Sequence, residues 1–332
     1  MKTRKIGSLE CGVIGLGCMN LSHGYGEPTS FEQGEALLQR ALDVGYKLLD
    51  TAALYGFGAN EELLGKALRA RRDEFVLASK CGMYRNEQGE REINGRPEAI
   101  RKVCEQSLRR LQTETIDLYY LHRLDPQVAV EESVGALGDL VREGKIREVG
   151  LSEVSADTLR RAMFEYPVAA VQSEYSLWTR NPEIALSQAC AELGVTLVAF
   201  SPVARGFFGG LDASTLQPAD FRYNMPRFSA QNYPKNLALL EQMRPLAERA
   251  ACSVPQLALA WLLAQGDHVL PIPGTQRIAH LEENLASAAL EIDPEILKAA
   301  GNVINQDTVV GVRYPESAQL DVDTERFENE FE

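Results

Sequence analysis

Several familiar signatures are missing from this chain. Its six cysteines (Cys11, Cys18, Cys81, Cys104, Cys190 and Cys252) form no Cys-x-x-Cys pair and have no metal-ligand spacing. That sets aside a disulfide framework and a structural metal, and reduced thiols in a cytoplasmic protein are expected. No apolar run is long enough to span a bilayer, and the basic start MKTRKIGSLE lacks the apolar core of a secretory signal. Gly12, Gly15 and Gly17 come nearest to a dinucleotide fingerprint, but their spacing is not G-x-G-x-x-G. Positive charge is also short, with 34 Lys and Arg against 47 Asp and Glu, a formal net charge of −13. A nucleic acid or an anionic membrane would meet like charge, so neither is an expected partner and any phosphate must be held locally. There is no internal repeat, low-complexity tract or linker, and the acidic stretch about 321–332 reads as a solvated end.

What the chain does have is 332 residues, 45% of them hydrophobic, enough for one large core. Short apolar or β-branched runs occur at 12–17, 46–50, 75–80, 116–122, 147–152, 169–173, 195–201 and 268–273. Helical patterns lie between them at 31–44, 61–70, 97–111, 130–143, 156–166, 182–193, 255–264 and about 279–288. The first helix opens after Ser30 with Gln33 at capping-box spacing and stops at Gly45. Strand–helix alternation is compatible with an open doubly wound sheet, but eight repeats favour a closed (β/α)8 TIM barrel, a single α/β domain over 1–332. The longest irregular stretch, about 203–234, is rich in Gly, Pro and aromatics and reads as a flap over a bound molecule.

Polar residues mark the ends of three successive apolar runs: Asp50, with Tyr55 five residues on, then Lys80 and His122. Singly, these are a turn residue, a loop aromatic, a strand-end lysine and a structural histidine. In a parallel barrel, however, strand carboxyl ends share one face, so all four would converge on one small molecule. Together they form a coherent acid–base set, because a neighbouring ammonium is what lowers a tyrosine pKa from about 10.

The surrounding text resembles the aldo-keto reductase family over nearly the whole chain. It is carried by GLGCMNLSHGYG, LLDTAALYGFGANEELLGKAL, SKCG, DLYYLHRLDP, EGKIREVGLSE, VQSEYSLWTR, VAFSPVARG and PIPGTQR, followed by HLEEN. The resemblance implies a (β/α)8 barrel that binds NADPH in extended form without a Rossmann domain and reduces aldehydes or ketones to alcohols. Tyr55 would be the general acid, Lys80 would lower its pKa, Asp50 would keep Lys80 charged, and His122 would donate to the carbonyl oxygen.

Cofactor contacts carry over by the same resemblance. Gly17, Cys18 and Met19 would border the nicotinamide ribose, with Asp50 nearby. Ser152, Glu153 and Gln172 would bind the carboxamide, although Glu153 stands where many members have asparagine. Phe200 would stack on the nicotinamide, unless it is simply core. Ser201, Pro202, Val203, Ala204, Arg205 and Gly206 would wrap the pyrophosphate. Ile272, Gly274, Thr275 and Arg277 would take the adenosine phosphate, at a glycine turn and helix N-terminus suited to an anion. His280 replaces a frequent arginine, and Glu283 and Asn284 match an adenine-facing pair. Tyr25, Tyr84 and Trp178, in loops after strands, suggest an aromatic pocket for a small-molecule carbonyl substrate. No metal is expected. Two other functions fit such a barrel less well: a nicotinamide-sensing accessory subunit, and a Schiff-base enzyme built on Lys80. The oligomeric state is left open.

Overall fold

The runs rich in Val, Ile and Leu are buried on both sides, which is what a parallel sheet covered by helices requires. In the computed structural model, which describes residues 2–86 and 88–330, they become eight parallel strands. A hairpin of β1 (Thr3–Ile6) and β2 (Leu9–Gly12) precedes them. The barrel strands are β3 (Leu16–Gly17), β4 (Leu48–Asp50), β5 (Val76–Cys81), then β8 (Ile116–Leu121), β9 (Ile146–Ser152), β10 (Ala170–Glu174), β11 (Thr196–Phe200) and β12 (Val269–Pro271). Between β5 and β8 a second hairpin, β6 (Met83–Arg85) and β7 (Arg91–Ile93), rises from the sheet. Each barrel strand pairs with the next, and Gly15 N–H to Pro271 O at 3.0 Å and Gly17 N–H to Pro273 O at 3.3 Å join the last strand to the first. The sheet is therefore a closed barrel. Gly17 has a steric reason to be glycine, since a Cβ there would sit 2.8 Å from the Ile272 carbonyl oxygen.

Helices α1 (Phe31–Val44), α2 (Ala59–Leu68), α3 (Pro97–Leu111), α4 (Val130–Arg142), α5 (Ala156–Glu165), α6 (Leu186–Leu193), α7 (Tyr233–Arg249), α8 (Val254–Leu263), α9 (Ile278–Ala286) and α10 (Pro294–Val303) surround it. The Ser30–Gln33 capping box is formed in both directions, and Gly45 closes α1 at a φ of 104° that suits glycine. Two cores result. The larger lies between helices and sheet; the smaller, with Leu48, Val76, Leu118, Tyr120, Val198 and Leu270, fills the barrel and is closed below by Ile6, Leu9 and Cys11 of the first hairpin.

Three sequence readings change. The stretch 203–234 is not structureless: short 3-10 turns at Ala204–Gly209, Ala213–Thr215, Phe221–Asn224 and Pro226–Phe228 order it, and α7 already begins at Tyr233. Helices α7 and α10 have no counterpart in the predicted pattern. Of the acidic stretch 321–332, Phe331 and Glu332 lie outside the described residues, whereas Asp323 and Glu325 cap the start of α5 by accepting from Ser155 N–H and Ala156 N–H.

Candidate active site

Strand direction places the four polar residues. Asp50 ends β4, Lys80 is the penultimate residue of β5, and His122 follows β8 directly. Tyr55 opens a tight turn after β4 in which Gly56, Phe57 and Gly58 all have positive φ. That turn is held from beneath by Asn60, which accepts from Thr51 Oγ1 at 2.6 Å and donates to Cys18 O at 2.9 Å. Lys80 Nζ donates to Asp50 Oδ1 at 2.5 Å, to Thr51 O at 2.8 Å and to Tyr55 Oη at 3.2 Å. Gln172 Nε2 holds the other Asp50 oxygen at 2.8 Å. The His122 ring meets the Tyr55 ring edge-on, centroids 5.8 Å apart, and His122 Nδ1 is buried without a partner among the described residues.

Burial dominates the electrostatics. It would by itself neutralise the Lys80 ammonium, but Asp50 and then Tyr55 hold the lysine above its ordinary pKa, so it stays charged. Burial also raises Tyr55 above the ordinary phenol value, with Lys80 pulling in the opposite direction. The lysine therefore offsets part of a desolvation penalty and does not make the phenol more acidic than a free tyrosine, as the sequence reading expected. Burial, then Arg123 and Lys80, push His122 well below the normal imidazole range, so its ring is neutral.

Asp50, Tyr55 and His122 line a cleft of about 1140 Å³, with Lys80 buried behind them. Its walls include Gly17, Met19, Ser152, Gln172, Phe200, Ser201, Pro202, Val203, Gly206, Ile272, Gly274, Thr275, Arg277, His280, Glu283 and Asn284, each singled out from the sequence. Cys18 and Ala204 are buried and do not line it. Glu153 does not either: its carboxylate accepts from Arg313 at 2.6 Å and from Thr324 Oγ1 at 2.8 Å, so it faces away from the cleft and is already saturated. Arg205 lines the cleft, but its guanidinium turns to Glu174 at 2.5 Å and Tyr314 Oη at 3.0 Å, and the backbone of Ala204, Arg205 and Gly206 forms a left-handed turn.

Of the three aromatics, only Tyr25 lines the cleft. Tyr84 donates to Glu92 at 3.3 Å within its hairpin, and Trp178 is core, 4.0 Å between ring centroids from Phe207. Sequence reasoning missed Asn20, His23 and Arg123, although all three lie inside the motifs already quoted, and it missed Arg244 and Glu248 because α7 was not foreseen. Tyr314 and Asp321 reach the wall from a region with no motif. Among the described residues there is no cluster able to hold a metal and no helix long and apolar enough to cross a membrane.

A family model described as the aldo/keto reductase family matches residues 13–303. The chain is 43% identical over 324 residues to the NADP(+) aldo-keto reductase yakc of Schizosaccharomyces pombe, covering 95% of each. Among solved structures, a glycerol dehydrogenase from Gluconobacter oxydans superposes with a TM-score of 0.82 at 30% identity, over 91% of this chain and 94% of that one. An aldo/keto reductase from Klebsiella pneumoniae, in complex with NADP and acetate, does so with a TM-score of 0.72 at 27% identity, over 95% and 99%.

Proposed function

The chain belongs to the aldo/keto reductase family, and from that premise we propose that it reduces small aldehydes or ketones to alcohols with NADPH. The observation that carries this reading is the Tyr55 hydroxyl, set on the cleft wall 3.2 Å from a charged, buried Lys80 and edge-on to a neutral His122. The residues fit an extended dinucleotide. One cleft wall carries both the catalytic groups and the turn after β12, His122 Nδ1 is buried without a partner, and the Arg277 guanidinium makes no hydrogen bond or ion pair among the described residues. Ser152, Gln172 and Phe200 would hold the nicotinamide end, and Gly274, Thr275 and Arg277 the adenosine phosphate. When bound, NADPH supplies the hydride.

The protein's own part is to place the carbonyl oxygen and deliver a proton to it. His122, neutral, has one N–H to donate to that oxygen, and Tyr55 passes its hydroxyl proton to the oxygen as negative charge builds there. Lys80 stabilises the tyrosinate left behind, and Asp50 with Gln172 keeps Lys80 in place. A panel of carbonyl compounds assayed with NADPH tests the activity. Tyr55→Phe is expected to lose about 10²–10⁴-fold in kcat while keeping NADPH affinity. Near-normal turnover in the folded variant would remove Tyr55 as the acid, and tight NADPH binding without turnover by the unaltered protein would favour a sensing role.

A further inference from the structure

Arg123 follows His122 at the end of β8, and its half-buried side chain lines the catalytic end of the cleft. Its Nη1 donates to His122 O at 2.7 Å and to Ser152 Oγ at 3.3 Å. Nε and Nη2 make no hydrogen bond, and no carboxylate pairs with the guanidinium among the described residues. The neighbouring cations are all matched: Lys80 by Asp50 at 2.5 Å, Arg205 by Glu174 at 2.5 Å, and Arg91 on the rim by Asp321 at 2.7 Å. Glu153 feels the Arg123 charge but its carboxylate is taken by Arg313 and Thr324, so Arg123 leaves this part of the cleft with a positive charge in excess, in a chain whose net charge is −13.

A guanidinium without a carboxylate partner, in a cleft whose wall also carries Leu54 and Met83, is costly to desolvate unless an anion completes it. Its planar fork matches a carboxylate. We propose that Arg123 anchors the substrate, and that the preferred carbonyl compounds carry a carboxylate which Arg123 holds while the carbonyl faces Tyr55 and His122. This rests on the reductase reading and narrows it to oxo acids and aldehyde acids. The competing role is a contact to the nicotinamide end through Ser152.

Matched pairs decide between them: phenylglyoxylate against its neutral amide, and 4-carboxybenzaldehyde against 4-formylbenzamide. For the unaltered protein and Arg123→Gln, Kd is measured by calorimetry on the NADP+-loaded protein and kcat/KM with NADPH, at one ionic strength. The unaltered protein is expected to favour the acid of at least one pair by about ten-fold in both readouts, and Arg123→Gln to bring that ratio to about one. Because each ratio is internal to one protein, partial misfolding cannot imitate the change. Arg123→Lys, which keeps the charge without the fork, should retain part of the preference. A ratio near one for both pairs in the unaltered protein, or a preference that survives Arg123→Gln, overturns the proposal. If no compound turns over, the reductase reading falls, and the Kd ratios still decide whether Arg123 is an anion site.

Discussion

Lys80 is fully buried, and its charge persists only because Asp50 and Tyr55 surround it. Lys80→Met keeps much of the stem volume and removes the charge, so burial of Tyr55 is no longer offset and the phenol pKa climbs further. Tyr55 acts as the base in alcohol oxidation and must be ionised there, so the acidic limb of that pH profile is expected to move upward as the rate falls; an unchanged profile at an unchanged rate would take Lys80 out of the chemistry. His122 behaves differently. Held neutral by burial and by Arg123 and Lys80, it has no titration left in the physiological range. Carbonyl reduction should therefore show no histidine limb between about pH 6 and 8. An inflection near pH 6.5 that vanishes in His122→Asn would contradict the neutral ring.

At the level of elements, the turn between β12 and α9 lines the cleft through Gly274, Thr275 and Arg277. Thr275 Oγ1 accepts from Arg277 N–H at 3.0 Å and fixes the turn, while the Arg277 side chain stays exposed on the cleft wall without a partner among the described residues. Arg277→Ala is expected to weaken NADPH binding by about ten-fold, the lower end for a charge-assisted hydrogen bond because the site is exposed, and to leave NADH affinity nearly unchanged. Equal losses for both cofactors, measured as Kd at fixed ionic strength, would make Arg277 a contact to the shared pyrophosphate. The barrel strands and α1 to α6 were legible because each carries a local signal: a doubly buried apolar run, a capping residue, or a stopping glycine. Helix α7 was not, since it starts inside a Gly- and Pro-rich stretch and carries Pro245 in its interior, both of which read as breaks. Glu153 and Trp178 were misplaced for another reason. Sequence position gives the strand end but not the side on which a long side chain finds its partner, and Arg313, which takes Glu153, lies 160 residues away.

That long-range pairing ties the whole molecule together. Glu153 after β9, Glu174 ending β10, Arg205 from the turns after β11 and Arg313 from the segment after α10 form one buried ion network, with Arg313 at 2.6 Å from Glu153 and 2.9 Å from Glu174. Burial alone would raise the Glu174 carboxyl, but Arg205 and Arg313 overcome it and bring its pKa from 4.5 to about 2. A carboxylate depressed in the folded state contributes stability that is fully present above its unfolded pKa and is lost as pH falls through the folded one. A gap of this size is worth about 3 kcal/mol. Arg313→Met fills similar space but strips both carboxylates of a buried partner, which is expected to cost about 3–5 kcal/mol at pH 7. Because that cost comes from ionised glutamates, it should shrink as pH falls from about 4.5 toward 2, where the unaltered protein loses its own advantage. Urea denaturation of both proteins across that range measures the difference directly. A deficit that stays the same at every pH would trace it to lost packing of the arginine stem and not to the charges.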